Sequence, residues 1–255
     1  MHHASVTQWQ VAAERMKRDG IVAAPQLFAA EADYLREAYI ERIIPPLVDT
    51  ARAVAPVDPA RGAAMGFFSW NYVSLTDPVL RRVLLNPDLL GLIEAYYGTQ
   101  PYFRRIPVIK QTRVAPHHKA DISAAYHIDG GTHHVGAMLL LADLTEEQTH
   151  MKHLVGSHLT ERDRFRLDPN NPQHREAEKV LEQQHEIFPL IGPKGTVFIY
   201  DHGFGIHKAN IVHHTVRDTM HALFSRGDHV PVPRDLELLP TELMESLDEA
   251  APIAH

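Results

Sequence analysis

The sequence predicts a mainly β fold with helices at its N-terminus, arranged as a β-sandwich or jelly roll. Apolar residues recur at helical spacing up to about residue 98 and at strand-like spacing after it. Several short strand patterns then follow one another without long helices between them. Because no linker divides the chain, we expect one domain over 1–255. Its helical part is expected at about 5–98, its β core at about 100–228 and a polar, lid-like insertion at about 160–184.

Two amphipathic helices are predicted at the start of the chain. The first spans 5–19, where apolar residues recur at helical spacing, and Gly20 ends it. A short extended run over 21–25 leads to a second helix over about 29–48, which a pair of prolines ends or bends. Residues 49–65 are expected to form a surface loop or a mobile flap.

The next elements are marked by aromatic residues and prolines. The aromatic run 66–73 is typical of a strand or a pocket wall, and ordinary core is the alternative. Asp77 and Asn86 each precede a proline, a pairing that favours the start of a helix. The second of these helices is expected to end at Gly98.

Strand patterns dominate the rest of the chain. They cover 102–106, 108–114, 134–141, 151–155, 186–189, 196–200 and 219–225. The polar insertion contains a predicted charged helix over 173–184, for which a solvated excursion is the alternative to a lid. A terminal helix is predicted after Val230.

The composition excludes several classes of function. The net charge is −7 with the two signs interspersed, so the chain has no electrostatic footprint for nucleic acid and no basic patch for a membrane. We therefore expect no nucleic-acid or membrane partner, and a small-molecule substrate. The chain has no cysteine, so any metal must be held by nitrogen and oxygen atoms. A signal peptide and a membrane span are both missing from the pattern, which favours a cytoplasmic protein.

His127 and Asp129 form the motif around which the β region is organised. Side chains alternate faces along a strand, so this pair would point the same way, with Cβ atoms roughly 6 to 7 Å apart. That separation allows both to reach one metal ion. His207, after the buried strand pattern 196–201, is the best candidate for a third ligand. Two histidines and one carboxylate with open positions are typical of non-haem Fe(II) oxygenases. In a chain with 19 histidines, however, an H-x-D triplet also arises by chance.

The ordered series of motifs resembles the phytanoyl-CoA dioxygenase family. The resemblance runs from about residue 9 to 228 and rests on the order of its motifs. These are Arg18-Asp19-Gly20-Ile21-Val22, Leu90 to Gly98, His127-x-Asp129, Gly156-Ser157-His158, Gly195 to Asp201, His207 and Arg217. It implies a double-stranded β-helix, a cupin-like jelly roll, that uses Fe(II), 2-oxoglutarate as cosubstrate and O2.

The resemblance also assigns roles to single residues. His127, Asp129 and His207 match the metal ligands, and Arg217 matches the arginine that binds the distal carboxylate of 2-oxoglutarate. A guanidinium pairs bidentately with a carboxylate and keeps its charge in a buried pocket, which agrees with that role. A surface salt bridge is the alternative for Arg217 considered alone.

Three further residues are candidates for contacts with the cosubstrate or substrate. Gln111 lies on the strand before the motif, Thr132 just after it, and Thr219 shares a strand face with Arg217. Ala209 stands where the family often has a serine, so one cosubstrate hydrogen bond is in doubt. Asp129 is retained, which disfavours the halogenation carried out by relatives that lack this carboxylate.

Other histidines of the chain are also possible metal ligands. Clusters at 117–118, 133–134, 150–153 and 213–214 lack any recognised zinc spacing and are expected at the surface or around the metal ligands. His202 also follows the strand that precedes His207, but the interval between His207 and Arg217 favours His207 as the ligand.

The predicted function is hydroxylation or oxidative cyclisation of a small molecule, with release of succinate and CO2. Because compact members of the family include antibiotic-tailoring enzymes, the resemblance suggests a secondary metabolite, with a glycosylated antibiotic intermediate as one candidate. The alternative is a cupin-like, non-oxidative metalloenzyme, an isomerase or hydrolase, that uses the same three ligands without Arg217. A non-catalytic sensor on the same fold would tolerate loss of Asp129.

Overall fold

The computed structural model describes residues 6–42, 67–70, 77–113, 122–129, 133–160, 165–167, 171–212 and 215–226. Within them, the α-helices are α1 (Val6–Asp19), α2 (Ala29–Leu35), α3 (Pro78–Leu84), α4 (Pro87–Tyr97) and α5 (Pro172–Gln184). A π-helical segment, Arg36–Glu41, continues α2. Short 3-10 helices cover Ile122–Ala124 and Ser157–Thr160. In the described residues, no helix is long and apolar enough to cross a membrane.

The strands form two antiparallel sheets. They are β1 (Ile21–Ala24), β2 (Phe67–Trp70), β3 (Pro101–Arg113), β4 (His134–Leu140), β5 (His150–Leu154), β6 (Ile187–Pro189), β7 (Val197–Asp201), β8 (His207–Asn210) and β9 (Val216–Arg226). The larger sheet has the order β1-β7-β4-β9-β3-β2, and the smaller has the order β6-β5-β8. The predicted mainly β class with N-terminal helices is confirmed.

The large sheet buries both of its faces. One face packs against the helices, with Met220 and Phe224 of β9 among the buried residues of that core. Met138 of β4 and Phe198 of β7 belong to a second apolar cluster with Met151 of β5, so the opposite face looks toward the small sheet. The space between the two sheets therefore holds the interior of the jelly roll.

Local signals set the helix boundaries as predicted. Asp77 accepts hydrogen bonds from the main-chain NH groups of Val79 and Leu80, and Asn86 caps α4 in the same way. Gly98 ends α4 with a φ of 72°, a conformation that glycine adopts at little cost.

Two strands differ from the prediction. β3 is one strand, not two, and its pairing with β9 shifts register around Phe103 and Arg105. The predicted break is therefore an irregularity inside a continuous strand. The sequence does not predict β8, because three of its four residues, His207 to Asn210, are polar and no apolar alternation marks it.

The polar insertion contains a helix, as predicted. Leu181 of α5 packs with Tyr126, Ile128 and Ile206, which are neighbours in sequence of the predicted metal ligands. Lys208 of β8 lies 3.2 Å from Glu178 of this helix. The lid role of 160–184 remains a prediction. The predicted loop at 49–65 and terminal helix after Val230 lie outside the described residues.

Candidate metal centre

Two of the predicted ligands are joined through their main chains. The NH of His127 donates to the carbonyl of His207 at 2.9 Å, and the NH of His207 donates to the carbonyl of His127 at 3.0 Å. Residues that exchange both hydrogen bonds lie directly opposite each other with side chains on one face. The imidazole rings are accordingly adjacent, with centroids 4.6 Å apart.

Main-chain carbonyls orient both imidazoles. Nδ1 of His127 lies 2.8 Å from the Ala125 carbonyl, and Nδ1 of His207 lies 2.9 Å from the Gly205 carbonyl. A carbonyl only accepts, so Nδ1 carries the proton of each imidazole in its neutral form, and the Nε2 atom of that form presents a lone pair. These are the protonation states that metal binding needs, and the two lone pairs are provided by the local fold.

The carboxylate of Asp129 lies close to both imidazoles. Its Oδ1 is 3.5 Å from Nε2 of His127, and its Oδ2 is 3.7 Å from Nε2 of His207. One donor atom from each residue of this triad lies within 4.8 Å of the other two. The structure therefore brings together the three residues predicted from sequence, and the set matches a facial 2-His-1-carboxylate site.

The electrostatics suit a cation. Burial raises the pKa of Asp129, but the hydrogen bond from His202 and the proximity of His207 outweigh this effect and hold the pKa well below its usual range. Burial, and then the proximity of His207, lower the pKa of His127. At neutral pH the site therefore offers one negative carboxylate and a neutral His127.

Arg217 lies on the inward face of β9 as a buried cation without a carboxylate partner among the described residues. Only 7% of the surface of Arg217 is exposed. Burial lowers the pKa of its guanidinium to about 10, so the group remains protonated at neutral pH. Its one hydrogen bond within that part of the chain is long, 3.5 Å from Nη2 to the Thr112 hydroxyl, and Nε has no partner. An incompletely satisfied buried guanidinium is costly in isolation, which is consistent with a site for an anion.

The further candidates for contacts with the cosubstrate or substrate do not all lie near Arg217. Thr219 is fully buried two residues after Arg217, on the same strand face. Gln111 lies on the opposite, helix-facing side, where its amide donates to Asp218 at 2.9 Å. Asp218 also receives a hydrogen bond from Arg36 at 3.0 Å. Gln111 is therefore not brought to the Arg217 face, and Thr132 lies outside the described residues.

The sequence does not predict the contact that His202 makes. It suggests His202 only as a competing ligand, yet its Nε2 lies 2.8 Å from Oδ2 of Asp129. Nδ1 of His202 is 2.8 Å from Nε2 of His134, which was expected at the surface or around the ligands and is buried. The available signal was the position of His202, directly after the buried strand that leads to His207.

Comparison with known proteins identifies the family. The family model described as phytanoyl-CoA dioxygenase (PhyH) matches residues 16–211, which is more than half of the chain. No curated protein sequence is significantly similar to the chain.

Solved structures share the fold at low sequence identity. The non-haem α-ketoglutarate-dependent epimerase SnoN from nogalamycin biosynthesis is 19% identical, with a TM-score of 0.57 over 92% of this chain and 90% of that chain. EctD from S. alaskensis is 16% identical, with a TM-score of 0.55 over 88% and 77%. AviO1 from Streptomyces viridochromogenes Tue57 is 16% identical, with a TM-score of 0.52 over 91% and 100%. These likenesses confirm the predicted jelly-roll architecture.

Proposed function

This chain belongs to the phytanoyl-CoA dioxygenase family and is a non-haem Fe(II)- and 2-oxoglutarate-dependent enzyme, and from this premise we propose that it oxidises a C–H bond of a small molecule. His127, Asp129 and His207 are assigned as the metal ligands, and Arg217 as the anchor of 2-oxoglutarate. Hydroxylation and oxidative cyclisation are the two outcomes that this chemistry offers.

The observation that carries the proposal is the convergence of the three side chains, with the tautomers of both histidines favoured by main-chain carbonyls. Fe(II) prefers neutral imidazole nitrogens and an ionised carboxylate in this combination. Both histidines present Nε2, because their Nδ1 atoms are held by the carbonyls of Ala125 and Gly205. Asp129 is ionised at neutral pH and lies within reach of both imidazoles. The residues present therefore fit the metal.

Arg217 fits the second half of the proposal. A five-carbon dicarboxylate has one end free to chelate a metal and a far carboxylate that needs a cationic partner. Among the described residues, Nε of Arg217 has no hydrogen-bond partner and Nη2 has only a long bond, and in a buried environment a charge-assisted, bidentate pair is strong. Tyr200 lies near both the proposed metal ligands and Arg217. Its ring centroid is 6.3 Å from that of His207, and its charge interaction with Arg217 raises the pKa of that guanidinium. Thr219, on the same face, is proposed as a further polar contact.

When bound, iron with 2-oxoglutarate and O2 supplies the oxidation of an unactivated C–H bond, with release of succinate and CO2. The protein contributes position and the exclusion of water. His127, Asp129 and His207 would hold the metal, and Arg217 would hold the far carboxylate of the cosubstrate. The ring of Tyr200 lies 6.3 Å from that of His207 and belongs to a buried apolar cluster with Met138 and Phe198, which excludes water from this part of the interior.

A secondary metabolite is the proposed class of substrate, with a glycosylated antibiotic intermediate as its specific form. SnoN, which shares this fold, is an epimerase of nogalamycin biosynthesis, and one of its structures holds Fe3+, α-ketoglutarate and a nogalamycin compound. A protein of this fold can therefore bind a natural product together with iron and α-ketoglutarate, which supports the proposed class of substrate.

The test is an anaerobic absorption titration of the metal-free protein with Fe(II) and then 2-oxoglutarate. We expect a visible metal-to-ligand charge-transfer band that requires both additions. His207→Ala should abolish the band, and Arg217→Ala should shift its appearance to much higher 2-oxoglutarate concentrations. Arg36→Ala is the matched control, because Arg36 lies on the helix-facing side and pairs with Asp218. Metal binding without any such band would refute the oxygenase proposal and favour the non-oxidative metalloenzyme.

A further inference from the structure

We propose that His202 is a positioning residue that holds the Asp129 carboxylate for the metal, and that His134 fixes the ring of His202 for this task. The inference rests on the proposed function, since it concerns a side chain that acts on one of the three ligands. It assigns a role to two buried histidines that the ligand set itself leaves unused.

The first support is a continuous chain of side-chain contacts. Nε2 of His202 lies 2.8 Å from Oδ2 of Asp129, and Nδ1 of His202 lies 2.8 Å from Nε2 of His134. An ionised carboxylate only accepts hydrogen bonds, so Nε2 of His202 carries a proton and donates it. With His202 neutral, its Nδ1 accepts from Nε2–H of His134. His134 thereby favours the tautomer of His202 that Asp129 requires.

The second support is the rigidity of the turn that carries His202. Its main-chain NH donates to the carbonyl of His134 at 3.0 Å, so the two histidines are joined by main chain as well as by side chain. Asp201, just before it, accepts from the NH of Phe204 at 2.8 Å and from the Tyr96 hydroxyl at 2.7 Å. A donor on such a supported turn is preorganised, which is what a ligand-orienting group needs.

The third support is the exposed position of Asp129 outside the main-chain pairing that holds the two histidines. The histidine ligands are held by the paired main chains of His127 and His207, but Asp129 lies in a bend beyond that pairing. Its side chain is 35% exposed, against 8% for His127 and 6% for His207. A side chain in that position has rotamers to choose from, and the hydrogen bond to Oδ2 selects one of them. Oδ1 is then the oxygen left for the metal.

The experiment measures the dissociation constant for Ni(II), used as a stand-in for Fe(II) that is stable in air, by titration calorimetry. His202→Gln places an amide NH near the position of Nε2 and should bind Ni(II) within about threefold of the unaltered protein. His202→Asn places its amide near the position of Nδ1, out of reach of Asp129, and should bind about 10- to 100-fold more weakly, the usual effect of losing a partner of a metal ligand. His202→Leu should resemble His202→Asn, and His134→Leu should give a smaller loss.

His158→Asn is the matched control, because His158 is similarly buried but contacts the Lys17 carbonyl and not the triad. It should leave the Ni(II) affinity unchanged. The thermal midpoint of each metal-free variant separates loss of fold from loss of positioning. Equal Ni(II) affinity in His202→Asn, His202→Gln and the unaltered protein would overturn this inference alone. Failure of the unaltered protein to bind metal would overturn the proposed function as well.

Discussion

His153 lies directly opposite His207 in the pairing of β5 with β8, and its imidazole is completely buried. Within the described residues, neither ring nitrogen of His153 makes a hydrogen bond of ordinary geometry. The main chain of nearby Asp201 raises the pKa of this imidazole, but burial has the larger effect. Burial, and then the proximity of His207, lower the pKa of His153 to about 3. The fold therefore keeps a neutral histidine immediately beside His207, a proposed metal ligand.

This relationship predicts a pH dependence of stability. In the unfolded chain a histidine takes up its proton near pH 6.5, whereas folded His153 stays neutral until about pH 3. The unfolded state thus binds more protons between these values, and stability falls as the pH falls through that window. His153→Leu should reduce the difference in unfolding free energy between pH 7 and pH 5 by about 2 kcal/mol. Urea denaturation at both pH values measures it, and an undiminished difference would contradict the assignment.

Arg217 should show opposite effects on stability and on cosubstrate binding. Because Arg217 is buried without a carboxylate partner in the described part of the chain, Arg217→Met should raise the free energy of unfolding by about 1 kcal/mol or more. It should also remove the increase in thermal midpoint that 2-oxoglutarate gives to the metal-loaded protein. Thermal denaturation with and without 2-oxoglutarate tests both effects.

Arg36→Met provides the matched comparison for Arg217→Met. Arg36 pairs at 3.0 Å with Asp218, a buried carboxylate on the other face of the sheet. Its loss should lower the free energy of unfolding by roughly 1–3 kcal/mol, while the effect of 2-oxoglutarate persists. If both variants lost stability and both kept the 2-oxoglutarate effect, Arg217 would be a structural residue.

Lys208 should link α5 to the strand that carries His207. Its ammonium lies 3.2 Å from Glu178 and 3.1 Å from Glu182, and 4.2 Å above the ring of Tyr126. Lys208→Met leaves both carboxylates without this partner, so we expect a loss of roughly 1–3 kcal/mol in the free energy of unfolding. Lys179→Met is the control, because its pair with Glu176 on the same helix is exposed and should be worth less than about 0.5 kcal/mol. Equal effects in chemical denaturation would show that α5 is not held in this way.

Any side chain at position 205 is predicted to destabilise the protein. A Cβ there would lie 2.3 Å from the Asp201 carbonyl and 2.3 Å from Nε2 of His153. Gly205→Ala should therefore cost about 1–3 kcal/mol and weaken metal binding, because the Gly205 carbonyl also orients His207. Gly98→Ala is the comparison, since its surroundings are open and only its positive φ opposes alanine, at a cost of about 1 kcal/mol. Calorimetry with Ni(II) should show normal affinity for Gly98→Ala alone.

Much of the architecture follows from local patterns in the sequence. The helices begin at Asp77 and Asn86 because a capping side chain precedes a proline, and these signals act within a few residues. The buried strand β7 is recognisable from its continuous apolar run. β8 carries no such pattern, because it is a short polar strand whose pairing depends on its neighbours.

The sequence by itself determined which side chains we propose as ligands of a metal and of an anionic cosubstrate: His127, Asp129, His207 and Arg217. Only the tertiary structure decided how they are supported. The contact of His202 with Asp129 and the position of Gln111 on the opposite face from Arg217 depend on strand register. The physical reason is that periodicity along a chain indicates which residues avoid water. It does not indicate which distant strand will pair with a given strand, and that pairing determines the hydrogen bonds around a site.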